Sequence, residues 1–123
     1  MHINLANLEK NIQFFSGVIK KNVELSAVVK SDAYGLGITK LVPAMERYGI
    51  RSFFTATLSE AIKTRKCSPR AEIFTLNGFD FLRARLYKKF NITPVINSLP
   101  EVKKFIEIFQ NSHRTAIQLN TGM

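Results

Sequence analysis

The chain has no tryptophan and a single cysteine. Cys67 alone rules out an internal disulfide, and a lone thiol fits a reducing, cytoplasmic setting. Aromatic packing therefore falls to ten phenylalanines and three tyrosines, a set suited to a packed interior. No stretch of about 18 apolar residues exists, so no transmembrane helix is expected. The start, MHINLANLEKN, lacks a basic lead followed by an apolar core, so no signal peptide is expected. Histidine is scarce as well: His2 and His113 are too isolated to suggest a metal site. Acidic residues number 9 against 18 basic ones, a formal net charge of +9. Such an excess invites a nucleic-acid partner. The lysines and arginines are scattered, however, mostly between apolar positions on predicted helices, Lys63, Arg65 and Lys66 among them. No RNA-binding aromatic signature or zinc pattern accompanies them. They read as solvated outer helix faces, and no specific nucleic-acid partner is expected.

What is present is enough chain, 123 residues with 46% apolar side chains, for one domain with a modest core. The stretch Ala27-Val-Val-Lys30-Ser-Asp-Ala-Tyr34-Gly-Leu-Gly37 organises it. An apolar run, Leu25 to Val29, reads as a buried strand. It gives way to one lysine, polar residues and two glycines. A lysine just past a buried strand sits at the mouth of a sheet, where its amine can lose hydration. Such an amine can attack a carbonyl and form a Schiff base. Tyr34 supplies a hydroxyl four residues on. Gly35 and Gly37 permit positive φ or a close backbone approach. A helix pattern follows, and a phosphate could rest on its first free N–H groups. The same pattern also describes an ordinary strand-to-helix connection with a solvated lysine.

Along the chain, Leu5, Leu8, Ile12, Phe15 and Ile19 make one apolar stripe of a helix over 5–20, with Asn4 as its cap. Ile38, Leu41, Val42, Met45 and Tyr48 make the next stripe. Pro43 is tolerable only near that helix's start, and Gly49 is its stop. Strands are predicted at 25–29, 51–56, 72–76, 92–96 and 115–119, the fourth bent or shortened by Pro94. Thr57-Leu-Ser-Glu60 and Ser98-Leu-Pro-Glu101 both read as capping boxes. Asn77-Gly78 reads as a strand-to-helix loop before an Asp80-capped helix that carries Phe81, Leu82 and Leu86. Strands alternating with helices demand a parallel sheet covered by helices. Periodicity leaves open whether that sheet is doubly wound or part of a (β/α)₈ barrel.

The run AVVKSDAYGLG resembles the pyridoxal-phosphate lysine motif of alanine racemases, usually A-V-V-K-A-[DN]-A-Y-G-H-G. Leu5-Ala-Asn-Leu-Glu-Lys-Asn-Ile12 is similar to that family's first helix, Ala56-Thr-Leu-Ser-Glu-Ala61 to its A-x-x-x-E-A segment, and Leu119-Asn-Thr-Gly-Met123 to its L-D-T-G-M. The resemblance implies an α/β fold of the (β/α)₈ TIM type, incomplete here, with about five parallel strands. A full barrel takes about 250 residues. Residues 1–123 would then be part of the N-terminal cofactor-binding barrel domain, with the C-terminal β-domain absent. Only His2-Ile-Asn-Leu5 hints at the strand that usually precedes the first helix.

The resemblance also implies pyridoxal 5'-phosphate as cofactor, with Lys30 the catalytic lysine bonded to it and Tyr34 near its phosphate. It implies L- and D-alanine as substrates, D-alanine for peptidoglycan, and a homodimer in which a tyrosine of the other subunit is the second base. The fragment alone is expected to be inactive. Ser31, Leu36 and Asn120 depart from the usual Ala, His and Asp. Gln118 stands where many members carry a carbamylated lysine that braces an arginine. Two other readings remain: a non-catalytic barrel that buffers the cofactor, and a decayed remnant.

Overall fold

In the computed structural model, residues 3–110 and 112–122 are described. Five strands, β1 (Ala27–Val28), β2 (Ser52–Thr55), β3 (Glu72–Thr75), β4 (Thr93–Ile96) and β5 (Ala116–Ile117), form one sheet. Every neighbouring pair is parallel, and the spatial order β1-β2-β3-β4-β5 repeats the order in sequence. A doubly wound sheet reverses its strand order at a switch point. No reversal occurs here, so the sheet is the partial barrel rather than the open alternative. Right-handed crossovers that always step the same way put their helices on one face. Those helices are α1 (Leu5–Val18), α3 (Ile38–Arg47), α4 (Leu58–Cys67), α5 (Ala84–Phe90) and α6 (Leu99–Phe109); α2 (Lys30–Tyr34) is a single unusual turn taken up below.

Register shows which residues share a face. Phe53 and Ile73 pair on one side and pack with Leu41, Leu58 and Ala61 in the core. Phe54 and Phe74 pair on the other, their rings stacked at 4.6 Å, beside Val28, which pairs with Phe54 and is 45% exposed. That second face is the one a closed barrel would turn inward.

Local chemistry accounts for most boundaries. The Asn4 side chain accepts from the Ala6 and Asn7 N–H groups and opens α1. The α1 stripe is shallower than its period suggests: Ile12 is buried, but Phe15 is exposed. At the end of α3, Gly49 has φ of +100°, and the Gly49 and Ile50 N–H groups return to the Glu46 and Met45 carbonyls. That pair of bonds is a Schellman stop. Pro43 lies in the second turn of α3, not at its start. Its missing N–H leaves the carbonyl of Thr39 to solvent, and Thr39 is exposed, so the helix continues.

The other differences have similar local causes. Pro94 is fully buried inside a regular four-residue β4. The β3–β4 ladder around it is two pairs long, half that of β2–β3. The Thr57–Glu60 capping box is complete. The second is not: Ser98 makes no cap bond, while Glu101 accepts from the Asn97 and Phe79 N–H groups. A Cβ on Gly78 would meet that carboxylate at 2.8 Å. Asp80 caps a 3-10 turn (Phe81–Arg83) rather than a long helix, which leaves Phe81 and Leu82 exposed and buries Phe79 and Tyr87 instead. Ile3 and Asn4 form no strand; His2 lies outside the described residues.

One cation is misread by the sequence. Arg65 is not a solvated surface charge. Its guanidinium donates to the carbonyls of Ser68, Pro69, Ala71, Phe90 and Asn91. Desolvation by the surrounding chain lowers its pKa from the usual arginine value.

Candidate active site at the carboxyl end of β1

The carboxyl ends of parallel strands are where such sheets place their chemistry. β1 ends there, followed by Val29, whose N–H donates to the Phe54 carbonyl. Lys30 follows directly, is exposed, and its amine takes part in none of the ion pairs among the described residues. The expected loss of hydration is therefore not met in this structure. Five strands leave the mouth of the sheet open to water.

After Lys30 the backbone does something the sequence reading misses. Ser31, Asp32, Ala33 and Tyr34 all have φ between +52° and +56°, and the first three have ψ of 48–49°. This is one turn of left-handed helix built from four non-glycine residues. Gly35 and Gly37 continue at positive φ, as their type permits. The turn carries its own bonds, from Ala33 N–H to Val29 O at 2.9 Å and from Gly35 N–H to Ser31 O at 2.8 Å. Each L-residue held left-handed costs about 1–2 kcal/mol. Lys30 and Tyr34 stand at its two ends, and Tyr34 is 62% exposed.

Asp32, in the middle of the turn, is tied from two directions. Its Oδ1 accepts from the Ile38 N–H at 3.0 Å and from Lys63 Nζ at 2.8 Å. Its own N–H donates to Glu60 Oε1 at 3.2 Å. The other oxygen of Glu60 accepts from the Ala56 and Thr57 N–H groups at the end of β2. A carboxylate paired with Lys63 thus occupies the Ile38 N–H, one of the first N–H groups of α3. The sequence reading counted Glu60 as a helix cap only and gave Asp32 and Lys63 no role. An acidic residue in a glycine-flanked loop, six before a helix start whose own cap position, Gly37, has no side chain, was the available signal.

The Lys63 hydrogen bond, then that of the Ile38 N–H, holds the Asp32 carboxyl below its ordinary value of 3.8. A carboxyl lowered on folding contributes stability above the unfolded pKa and loses it as pH falls through the folded one. The Ile38 amide should therefore keep its solvent protection from neutral pH down to about pH 4 and lose it in more acid solution. Amide exchange against pH measures this; unchanged protection well below that pH would contradict the assignment.

Elsewhere along this rim the contacts are structural. Asn97 Nδ2 donates to the Leu76 carbonyl at 3.0 Å, and Gln118 is exposed, its N–H on the Ile96 carbonyl at 2.9 Å. Asn120 Oδ1 accepts from the Gly122 N–H. Among the described residues no cluster of three or more His, Cys, Asp or Glu could hold a metal ion, and no helix is long and apolar enough to cross a membrane.

Comparison with known proteins decides the family. The sequence model of the alanine racemase N-terminal domain matches residues 3–123. The chain belongs to the alanine racemase family. It is 38% identical over 103 residues to the alanine racemase of Methylobacterium nodulans, covering 81% of this chain and 28% of that protein. It is 34% identical over 125 residues to the catabolic alanine racemase of Agrobacterium fabrum, covering 98% and 32%. Among solved structures, the alanine racemase of Bartonella henselae with covalently bound pyridoxal phosphate superposes with a TM-score of 0.82 at 30% identity, over 91% of this chain and 31% of that one. The chain thus spans about a third or less of the length of these racemases.

Proposed function

We propose that this chain is the cofactor-anchoring part of an alanine racemase, with Lys30 as the residue that bonds pyridoxal 5'-phosphate. The observation that carries the reading is the position of Lys30: an exposed amine at the carboxyl end of β1, outside every ion pair among the described residues, in a family with a covalently loaded relative. The residues present fit the cofactor chemically. The Lys30 amine would condense with its aldehyde, and the phenol of Tyr34 at the far end of the turn would donate to a phosphate oxygen.

Bound pyridoxal phosphate supplies an electron-withdrawing ring that acidifies the substrate Cα–H. Lys30 would hold the cofactor through its amine, and the same amine, once free, would take or return the substrate Cα proton on one face. Racemisation also needs a proton-transfer group on the opposite face. That group comes from a second subunit, in a homodimer. The enzyme works in the cytoplasm, producing D-alanine for peptidoglycan; the lone Cys67 supports that setting. The hydrated surroundings of Lys30 support a further element of the proposal: the 123 residues alone turn alanine over poorly.

Borohydride trapping tests the assignment. Condensation of the Lys30 amine with the aldehyde expels water, and borohydride delivers hydride to the resulting C=N carbon. Mass spectrometry should then find the label on the Lys30 peptide, with little L- to D-alanine conversion by the same preparation. Label confined to other lysines of the folded chain would refute the site. Turnover near that of an intact racemase would refute the partial role.

A further inference from the structure

We infer that Asp32, gripped by Lys63 and Glu60 of α4, is a positioning residue that sets where the Lys30 amine and the Tyr34 hydroxyl stand. This rests on the reading of Lys30 above. The left-handed turn between the two side chains is made of residues that favour the opposite hand. Its internal bonds alone are those a right-handed turn would also make. What distinguishes the observed hand is outside the turn. One oxygen of Asp32 reaches forward to the Ile38 N–H and sideways to Lys63, and the Asp32 N–H reaches Glu60.

These three contacts converge on the residue two positions from Lys30 and two from Tyr34. A right-handed or extended turn would swing the Asp32 carboxylate away from α3 and α4 and break them together. Glu60 is itself fastened to the end of β2. The amine and the phenol therefore ride on a turn indexed to the second strand, and their separation is fixed before any ligand arrives. Preorganisation of this kind places strain where a site needs it and anchors it from the neighbouring element.

The test uses the full chain with Asp32→Ala, Lys63→Met and the pair Asp32→Ala with Ser31→Gly. Amide exchange by NMR reads the turn without any cofactor. Asp32→Ala should speed exchange at Gly35, Gly37 and Ile38 by about five- to tenfold and leave Thr75 and Ile96 unchanged. Trapping with pyridoxal phosphate and borohydride should show slower labelling of Lys30 by a similar factor, with surface lysines such as Lys88 and Lys103 unaffected. Ser31→Gly, which removes the penalty for positive φ at an exposed position, should restore most of both. Should Asp32→Ala fail to fold, Lys63→Met carries the same measurement with a smaller change, because the Ile38 cap remains.

Wild-type exchange at Gly35 and Gly37 in these variants would overturn the inference. So would faster exchange with Lys30 labelling unaltered, or no rescue by Ser31→Gly. An unaltered chain that takes no label at Lys30 would sink the proposed function instead, and the exchange measurement would still decide whether Asp32 holds the turn.

Discussion

Lys30→Ala is expected to abolish site-specific capture of pyridoxal phosphate, cutting the trapped label by about a hundredfold or more. The chain has eleven lysines, so residual label should spread thinly over the others. Lys30→Arg is the sharper control. It keeps the positive charge at the carboxyl end of β1 but offers a guanidinium that stays protonated and does not act as a nucleophile at neutral pH. If charge merely attracted the phosphate, the arginine variant would retain cofactor; if the covalent bond matters, both variants lose it equally. The readout is intact-mass and peptide mass spectrometry after borohydride. Retention of specific label in either variant would place the aldehyde-bonding amine elsewhere.

The second large effect is on stability. Arg65→Met should destabilise the fold by about 3 kcal/mol. Methionine fills part of the volume but donates nothing. Five carbonyls from the end of α4, the approach to β3 and the end of α5 then lose their common donor. Solvent re-satisfies the outer ones, because Arg65 is only half-buried; the inner ones carry the cost. Arg70→Met, at an exposed position a few residues away, should stay within about 0.5 kcal/mol of wild type. Urea unfolding of both variants makes the comparison. Equal stabilities would mean that the guanidinium contributes nothing beyond its stem.

These two residues also show what could be read from the sequence and what could not. The place of Lys30 just past a strand was legible because the run before it is apolar and the run after it is polar and glycine-rich. The βα alternation was legible for the same reason. Arg65 was not, because a charge next to Lys63 and Lys66 looks like any solvated helix face. Its partners are backbone carbonyls, which have no letter in the sequence. The left-handed turn was hidden likewise. Gly35 and Gly37 announced positive φ, but the four residues before them favour the other hand. They are held by Asp32, Glu60 and Lys63 across a separation of up to 31 residues. Phe81 and Leu82 read as part of one continuous helix, whereas they lie in a 3-10 turn that leaves them exposed. In each case local propensity was right about the element and silent about the tertiary contact that overrode it.

The unreversed strand order bears on how the molecule comes into being. Each strand leaving the ribosome finds its one earlier neighbour already made, so translation order can serve as assembly order. No strand has to wait for a later one to be inserted beside it. A nascent chain paused after β3 would hold three aligned strands rather than a tangle, and the next helix and strand could be added at the open side without disturbing those in place.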